Sequence, residues 1–593
     1  MKTHYRTHMC AEISREDAGS SVKVCGWVQK SRDMGGVIFI DLRDRSGIIQ
    51  VVINSENQKE IFELAESVRS EYVLQVSGTV THRTEDNYNE KLSTGQIEIL
   101  CSELTVLDTA QTPPFTISDD DNTSELIRME NRFLDLRKES MQKRLMLRHQ
   151  TAQKVRNILS GSGFVEIETP FLTKPTPEGA RDFLVPSRVH KGQFFALPQS
   201  PQLFKQILMV SGFDRYFQIV KCFRDEDSRQ DRQPEFTQID MEMSFVDTED
   251  VIAVSEKMIA EIFRETAGFE ISLPIKRMRW SEAMERYGSD KPDLRFGLEI
   301  ADITDIVRNA EFKVFSGAAK TGSVRIINAQ GADEKLSRRD LDALTEYVKQ
   351  FGAKGLAWFV VGETGVTSPV AKFLSEDETD GILKTAQAKP GDIIFAVADK
   401  DKIVFEALGA LRLRLASQLQ TEMKEGYEFL WVTDFPMFEY DETDKRYYAV
   451  HHPFTAPADE CLPFIETEPE RVTAKAYDLV VNGKELGGGS IRIHTKEIQH
   501  RVFAALGFSE QEAESKFGFL LNALQYGTPP HGGIAFGFDR LIMTLAQTEN
   551  IRDVIAFPKT QTQLCPMTQA PAEADEGALA ELGIRIAAPK PNA

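Results

Sequence analysis

The chain has 593 residues, of which 41% are hydrophobic and 27% are charged, and this length and composition predict a globular protein with several domains. The formal net charge of −21 argues against a nonspecific nucleic-acid binder, which must neutralise phosphates with Lys and Arg, so any contact with RNA must be local. The longest apolar runs are too short to span a bilayer, the N-terminus lacks a secretory hydrophobic region, and the six cysteines have no metal-ligand spacing. We therefore expect a cytoplasmic protein with no membrane partner.

Residues 1–108 contain five short β-rich runs separated by turn signals, a pattern typical of a small β-barrel. Alternation along the second and third runs predicts that Phe39 and Gln50 emerge on the same outer face when these strands pair. An aromatic ring beside hydrogen-bonding groups suits a base of single-stranded RNA, although single exposed phenylalanines are common on protein surfaces. The residues alone leave both interpretations open.

Residues 109–134, with Pro113-Pro114 and an acidic run, are predicted to form a hinge rather than a packed element. A helix is expected from about Ser140 to Ser160, followed by a strand that ends at Pro170. These patterns give no sign of chemistry by themselves.

The run from Thr173 to Phe183 contains prolines, a glycine and charges of both signs, and it predicts a surface loop. The chain then passes from a strand through a turn into a helix, where Gln202 and Lys205 share one face. Lysines on helices are usually solvated, so a buried Lys205 would need an acidic partner.

Phe217 to Phe245 form a predicted antiparallel hairpin around a highly charged loop. Alternation in the second arm places Phe236, Gln238, Asp240 and Glu242 on one face, and the other face, which ends with Phe245, is expected to be core. A solvated hairpin tip is one interpretation of the loop. The aromatic ring, amide and carboxylates beside Arg224 instead suit a flat heterocycle, an ammonium group and a phosphate.

The segment FRDED…RQPEFTQIDME in this hairpin closely resembles motif 2 of class II aminoacyl-tRNA synthetases, in particular the bacterial aspartyl enzymes. The resemblance extends along nearly the whole chain. It implies that Arg224 binds the α-phosphate of ATP, that Phe236 stacks on adenine and that Asp240 holds the amino group of the substrate.

The resemblance implies a multidomain α/β fold, with an OB-fold barrel, a catalytic domain built on an antiparallel sheet with helices, and an inserted α+β domain. The expected boundaries are 1–108 for the anticodon-binding barrel, 109–134 for the hinge, 135–290 and 421–557 for the catalytic domain, 291–420 for the insertion and 558–593 for a C-terminal extension. The insertion contains the strand-like runs FKVFSG, SVRIIN, LAWFVV and DIIFAVA but no cluster of catalytic residues. The helix and strand of residues 140–170 resemble motif 1, which implies a homodimer.

A metal site is predicted around the hairpin signal Asn482-Gly483. Pairing across this turn places Val480 opposite Glu485 and puts Asp478 on the same face as Glu485. Unpaired carboxylates repel each other, and Mg²⁺ bridging ATP phosphates is their natural occupant. The glycines at 487–489 allow close approach of a ligand or simply form a bulge.

The segment HGGIAFGFDRLIMTLA resembles motif 3, whose arginine matches Arg540 and binds the γ-phosphate. An arginine in a first helical turn opposes the macrodipole unless an anion compensates, so this position suits phosphate, whereas a tolerated surface arginine is the alternative. The adjacent His451 and His452 lack partners at metal-ligand spacing, and the resemblance makes His451 the better match to a substrate-contacting histidine.

The resemblance implies three sets of ligand-binding residues. The aspartate-binding set is Glu178, Gln202, Lys205, Arg224, Asp240, His451 and Arg492. The ATP-binding set is Arg224, Asp225, Glu226, Gln233, Phe236, Glu485, Gly537, Phe538, Asp539 and Arg540, of which Arg224 and Arg540 are the catalytic residues. The anticodon-binding set is Arg32, Met34, Phe39, Gln50 and Glu98.

These residues predict an aspartate–tRNA ligase that uses L-aspartate, ATP and Mg²⁺ and charges tRNA(Asp). The alternatives are a noncatalytic RNA-binding relative, a synthetase for lysine or asparagine, and an enzyme that also charges tRNA(Asn). Strict family members commonly have leucine at the place of Met34 and relaxed members often have histidine, so the similarity of methionine to leucine favours tRNA(Asp) alone.

Overall fold

The computed structural model describes residues 2–56, 59–176 and 179–587, so Glu178 lies outside the described residues. The chain divides into two compact units. The first consists of Met1–Gln150, Asp227–Gln233 and Ala546–Ala574, and the second of Thr151–Glu226, Pro234–Leu545 and Asp575–Ala593.

The first unit contains a closed five-stranded barrel, as the sequence predicts. Its strands are β1 (Ser21–Asp33), β2 (Val37–Asp44), β3 (Gly47–Asn54), β4 (Val73–His82) and β5 (Ile97–Asp108), in the order β1-β2-β3-β5-β4, with α1 (Lys59–Glu66) between β3 and β4. Phe39 pairs with Val52 and Asp41 pairs with Gln50. Phe39 and Asp41 are two residues apart on β2 and therefore point to the same face, and Gln50 lies directly opposite Asp41. This register confirms that Phe39 and Gln50 share the outer face.

The segment predicted to lack packed structure contains two helices, α2 (Glu125–Glu130) and α3 (Arg132–Asp135). Phe115, Ile117 and Leu134 form a small core there. Arg132 lies 2.6 Å from Asp135, and both are buried. The expectation of an unpacked segment is therefore wrong, because the prolines and acidic residues hid a helical pattern, while a role as a hinge stays a prediction. The long helix α4 (Glu139–Gly161) confirms the helix expected near residues 140–160.

The first elements of the second unit after α4 include β9 and β10, the two strands that carry motif 2. These first elements are β6 (Val165–Glu166), β7 (Leu184–Pro186), β8 (Phe194–Ala196), α5 (Gln202–Val210), β9 (Arg215–Phe223), β10 (Glu235–Ser244), α6 (Thr248–Ala267), β11 (Arg277–Arg279) and α7 (Trp280–Tyr287). Strands β9 and β10 form the predicted antiparallel hairpin. The expectation that Phe245 packs in the core is wrong, because its φ of 57° turns the chain out of the strand and leaves the ring 73% exposed.

A separate five-stranded sheet follows, in the order β12-β13-β16-β14-β15. Its elements are β12 (Ile300–Asp302), α8 (Lys313–Ala318), β13 (Ser323–Ala329), α9 (Arg338–Lys349), β14 (Ala357–Gly362), β15 (Gly365–Thr367), α10 (Glu376–Ala386), β16 (Ile393–Asp399) and α11 (Asp401–Gln418). Three of the four predicted strands are present, but FKVFSG forms α8. The spacing of three residues between Phe312 and Phe315 lets the two rings meet on one side of the helical turn, with centroids 4.9 Å apart.

The remaining elements include the four strands β17, β20, β21 and β22, which complete an eight-stranded sheet in the order β11-β17-β20-β21-β22-β10-β9-β6, and the separate hairpin of β18 and β19. These remaining elements are β17 (Phe429–Thr433), β18 (Phe438–Asp441), β19 (Arg446–Ala449), β20 (Ala476–Val481), β21 (Lys484–Ile491), α12 (Lys496–Ala505), α13 (Glu510–Ala523), β22 (His531–Gly537), α14 (Phe538–Leu545) and α15 (Glu576–Leu582). The six inner strands run antiparallel, whereas β11 and β6 pair in parallel at the two edges. Among the described helices, none has the length and apolar character needed to cross a bilayer.

Candidate active site and nucleic-acid interface

Four charged side chains meet in the interior of the second unit, beside β10. Lys205 Nζ lies 2.6 Å from Asp240 Oδ1 and 3.2 Å from Glu242 Oε2. Arg492, which directly follows β21, donates from Nε to Glu242 Oε1 at 2.9 Å and from Nη2 to Glu242 Oε2 at 3.2 Å. We call Lys205, Asp240, Glu242 and Arg492 the charged quartet. It confirms that a buried Lys205 has acidic partners, because all four residues are at most 2% exposed.

Burial and pairing act in opposite directions on the two carboxylates of the quartet. Burial raises the pKa of Asp240, and the neighbouring Lys205 only partly offsets this effect. Burial also opposes ionisation of Glu242, but the neighbouring Arg492 and Lys205 hold the pKa of Glu242 below its ordinary value. Glu242 is therefore the fixed negative charge of the quartet.

Two polar atoms, one in the quartet and one on the helix α5 that carries Lys205, are available to a ligand. Asp240 Oδ2 and Gln202 Nε2 are buried without a hydrogen-bond partner in the described part of the chain. An unsatisfied buried polar atom costs roughly 1–3 kcal/mol, so a ligand that pairs with these atoms gains affinity. A carboxylate oxygen suits an ammonium group, and the cations Lys205 and Arg492 suit a carboxylate.

The two adjacent histidines contact different parts of this site. Arg492 Nη1 donates to His452 Nε2 at 2.7 Å, and burial together with Arg492 lowers the pKa of His452 well below its ordinary value. His451 packs against the ring of Phe435, and its Nε2 lies 3.8 Å from Asp478 Oδ1. The sequence interpretation preferred His451 as the aspartate contact, whereas it is His452 that lies against the charged quartet. The role predicted for His451 stays a prediction.

Arg224 and Phe236, the predicted α-phosphate and adenine residues, lie together on motif 2. The guanidinium of Arg224 stacks over the ring of Phe236, with Cζ 5.1 Å from the ring centroid, and Arg224 Nε has no hydrogen-bond partner among the described residues. Arg540 lies in the first turn of α14, as predicted, and donates from Nη1 to the carbonyl oxygen of Glu485 at 3.2 Å. These arginines are the cations of the predicted ATP site.

Asp478 and Glu485 converge as the hairpin argument predicts. Val480 pairs with Glu485, and a bulge follows at Leu479. A Cβ on Gly488 would lie 2.5 Å from Asp478 Oδ1 and 3.6 Å from Glu485 Oε1, so glycine leaves open space between the two carboxylates. Burial and the charge of Asp478 raise the pKa of Glu485. Two carboxylates that repel each other fit a hard divalent cation, although no group of three or more His, Cys, Asp or Glu ligands occurs in the described ranges.

The other residues of the predicted ATP set have structural partners. Asp539 accepts a hydrogen bond from Thr237 N at 2.7 Å and ties α14 to β10, while Phe538 is buried. Asp225 N donates to Arg181 O at 3.0 Å. Gln233 lies in the first compact unit, where its amide exchanges hydrogen bonds with the backbone of Lys559 at 3.0 and 2.8 Å. Gly537 pairs with Gln238, and Glu226 is partly buried in the loop after Arg224.

The sequence interpretation missed several residues of the site. Glu242 was placed on the correct face of the hairpin but received no role, although its position two residues after Asp240 was a usable signal. His452 contacts Arg492, and Gln206 Nε2 lies 3.2 Å from His531 Nε2. Both contacts join residues that are distant in sequence, and no pattern in the sequence pointed to them.

The outer face of the barrel brings together most of the predicted anticodon set. Arg32 donates to Asp41 at 2.9 and 3.1 Å and to Gln50 Oε1 at 3.3 Å, and Gln50 Nε2 donates to Glu98 Oε2 at 2.9 Å. Phe39 lies directly opposite Arg32. These residues form a hydrogen-bonding surface beside an aromatic ring, and Asp41 is a member that the sequence analysis missed.

Met34 lies at the start of the turn between β1 and β2, and it is 71% exposed. Burial raises the pKa of Glu98. The face therefore combines a row of hydrogen-bonded polar side chains with an exposed methionine.

The chain matches two family models. Residues 124–561 match the model described as tRNA synthetases class II (D, K and N), and residues 22–107 match the OB-fold nucleic acid binding domain. Among solved structures, an aspartyl-tRNA synthetase from Entamoeba histolytica shares the fold with a TM-score of 0.59 at 19% identity, covering 95% of this chain and 94% of that chain. The asparaginyl-tRNA synthetase of Pyrococcus horikoshii, complexed with asparaginyl-adenylate, has a TM-score of 0.58 at 18% identity, covering 94% of this chain and 99% of that one.

Curated relatives match over the full length. A protein of Thermoanaerobacter pseudethanolicus named Aspartate--tRNA(Asp/Asn) ligase is 57% identical over 98% of both chains. A protein of Ruminiclostridium cellulolyticum named Aspartate--tRNA ligase is 56% identical, again over 98% of both chains. With these matches and the architecture of its two units, the chain belongs to the class II tRNA synthetases of the D, K and N family.

Proposed function

We propose that the protein is an aspartate–tRNA ligase that activates L-aspartate with ATP and transfers it to the 3′ end of tRNA. The observation that carries the choice of amino acid is the pair of buried cations, Lys205 and Arg492, which contact Asp240 and Glu242 on the strand that also carries Phe236. Lysine would present an ammonium group that these cations repel, and asparagine a neutral amide whose oxygen accepts weaker hydrogen bonds than a carboxylate does. The names of relatives at 57% and 56% identity support the same substrate.

In the first step, an oxygen of the aspartate α-carboxylate attacks the α-phosphorus of ATP. The bond from that phosphorus to the bridging oxygen breaks, and aspartyl-adenylate and pyrophosphate form. Asp240 holds the substrate ammonium group, whereas Lys205 and Arg492 hold the β-carboxylate. Arg224 and Arg540 neutralise the charge on the phosphates, so positioning and electrostatic stabilisation replace a protein nucleophile.

Asp478 and Glu485 would hold Mg²⁺ on the phosphate side of the site. When bound, the ion neutralises phosphate charge and orients the pyrophosphate leaving group. The open space above Gly488 and the mutual repulsion of the two carboxylates support this assignment.

In the second step, a hydroxyl of the terminal ribose attacks the carbonyl carbon of the adenylate and releases AMP. The barrel face with Phe39, Gln50 and Glu98 would bind the unstacked anticodon, where an aromatic ring stacks on a base and the polar row contacts base edges. The overall charge of −21 makes such local recognition necessary.

We extend the proposed substrate to both tRNA(Asp) and tRNA(Asn). The sequence interpretation favoured tRNA(Asp) alone, but the name of the relative with 57% identity, and that of a Geobacillus relative with 55% identity, contains both tRNAs. Met34 is exposed and flexible, and an apolar side chain of this kind offers little discrimination between bases.

The proposal includes a cytoplasmic homodimer, as the resemblance to motif 1 implies. Strand β6 at the edge of the sheet has an exposed Val165, which supports a partner on this edge. Light scattering of the purified protein at several concentrations tests the dimer.

ATP–pyrophosphate exchange against a panel of amino acids tests the activation step. Exchange that depends on L-aspartate, with asparagine and lysine inactive, is the expected result. Exchange with either of those amino acids in place of aspartate would overturn the substrate assignment.

A further inference from the structure

Three chain segments meet beside Arg224, namely residues 180–183, 197–199 and 223–225, and we call their meeting point the junction. The backbone contacts that join them are Leu197 N to Phe183 O at 2.9 Å, Phe223 N to Pro198 O at 2.9 Å and Asp225 N to Arg181 O at 3.0 Å. Each segment therefore contacts both of the others, and the hydrogen bonds close a ring.

The side chain of Gln199 adds a second set of contacts to the junction. Its Oε1 accepts from Ala180 N at 3.0 Å, and its Nε2 donates to Ala180 O at 2.9 Å and to Asp182 Oδ1 at 2.5 Å. The primary amide thus pairs with the backbone of Ala180 as a neighbouring strand would. Gln199 is only 5% exposed, so these hydrogen bonds are made away from water.

Packing contributes little to the position of residues 180–182. Arg181 is exposed, and Ala180 and Asp182 are only partly buried. A cavity of about 250 Å³ lies next to them, and its lining includes Asp182, Gln199, Leu203, Phe204 and Phe519. Because the segment borders a cavity instead of a core, its position depends on hydrogen bonds, and Gln199 makes three of them.

The junction joins the two halves of the active site. Gln199 lies three residues before Gln202, which is the first residue of α5, the helix that carries Lys205. On the other side of the junction, Asp225 directly follows Arg224. We propose that Gln199 is a positioning residue that couples the binding of aspartate to the binding of ATP, an inference that rests on the proposed function. The hydrogen bonds leave residues 180–182 some freedom because the segment borders a cavity instead of a core. The substrate that binds first restricts this remaining motion, so the second substrate binds more tightly.

The test measures the KM for aspartate in ATP–pyrophosphate exchange at low and at saturating ATP. In the wild-type protein, we expect the KM for aspartate to fall as ATP rises. In Gln199→Leu, we expect the KM to become independent of ATP, with kcat/KM reduced about 10-fold, as for the loss of one or two buried hydrogen bonds. A general loss of folded protein would lower kcat but leave the ratio of the two KM values unchanged.

Two further variants sharpen the test. Gln193→Leu, at an exposed position outside the junction, is expected to keep wild-type coupling. Gln199→Glu places a carboxylate against Asp182, so its coupling should recover as the pH is lowered and the new carboxyl group gains a proton. No aspartate-dependent exchange in the wild type would overturn the proposed function and this inference together. Intact exchange with no coupling in the wild type, or with unchanged coupling in Gln199→Leu, would overturn the inference alone.

Discussion

Arg492 and Glu242 form a buried pair, joined by two hydrogen bonds across 250 positions of the sequence. Removal of one partner from such a pair leaves an uncompensated charge, which usually costs more than the pair contributes. Glu242 therefore holds the guanidinium in place before a substrate arrives. Nη1 of Arg492 also reaches His452 and Ser490, at 2.7 and 2.5 Å.

Arg492→Leu is expected to lower kcat/KM for aspartate by about 100-fold or more, equivalent to at least ~3 kcal/mol, because the β-carboxylate loses its cation and Glu242 loses its partner. Steady-state exchange measures the effect, and thermal unfolding measures how much of it comes from lost stability. Arg501→Leu, which breaks an exposed ion pair with Glu466, should change neither quantity appreciably. A value of kcat/KM near that of the wild type would contradict the role of Arg492.

Asp478→Asn is expected to raise the Mg²⁺ concentration needed for half-maximal exchange, because one of the two anionic oxygens that attract the ion is lost. Binding of tRNA, measured by filter retention, should remain nearly unchanged. Asp459→Asn, which removes an exposed partner of Lys475, is the matched control. Equal losses of Mg²⁺ use and tRNA binding would indicate damage to the fold instead of the metal site.

His452 is expected to make the protein less stable at mildly acidic pH. The folded state keeps the imidazole neutral, because burial and the facing cations Arg492 and Lys205, together with His451, lower its pKa well below the ordinary 6.5, whereas the unfolded chain takes up a proton near that value. The unfolded state thus binds more protons, so stability is fully present above pH 6.5 and is lost as the pH falls. Melting temperatures of His452→Gln should depend less on pH than those of the wild type.

The exposed His190 provides the control for this pH dependence. His190→Gln should reproduce the wild-type pH profile, because it changes an exposed side chain outside the charged quartet. An unchanged profile in His452→Gln would show that other groups, such as the buried His531, cause the acid sensitivity.

Purified tRNA(Asp) and tRNA(Asn) are expected to be aspartylated with kcat/KM values within about tenfold of each other, because the exposed Met34 supplies discrimination at the lower end of the ~1–3 kcal/mol range of apolar contacts. Met34→Leu should leave exchange unchanged and alter this ratio only slightly. A much larger preference for tRNA(Asp) would restore the strict specificity that the sequence favoured. Comparable charging of both tRNAs would require an amidotransferase step that converts Asp-tRNA(Asn) to Asn-tRNA(Asn).

Local patterns in the sequence determined the hairpin of β9 and β10, the Asn482-Gly483 turn and the five-stranded barrel. Each depends on side-chain alternation or on backbone conformations that a few neighbouring residues impose, such as the φ of 78° at Gly483. The same local reasoning failed for FKVFSG, where a short apolar run fits a strand or a helix equally well.

The tertiary structure alone decided how the charges pair. The sequence placed Asp240 and Glu242 on one face, but the order β21-β22-β10 of the sheet brings Arg492 to Glu242, and the packing of α5 brings Lys205 to both carboxylates. It likewise decided that His452 contacts Arg492 and that Gln199 pairs with Ala180. Contacts of this kind join residues that are distant in sequence or loops without a repeating pattern, so no local periodicity encodes them. The partners are selected only in the folded interior, where buried charges and polar groups must be paired.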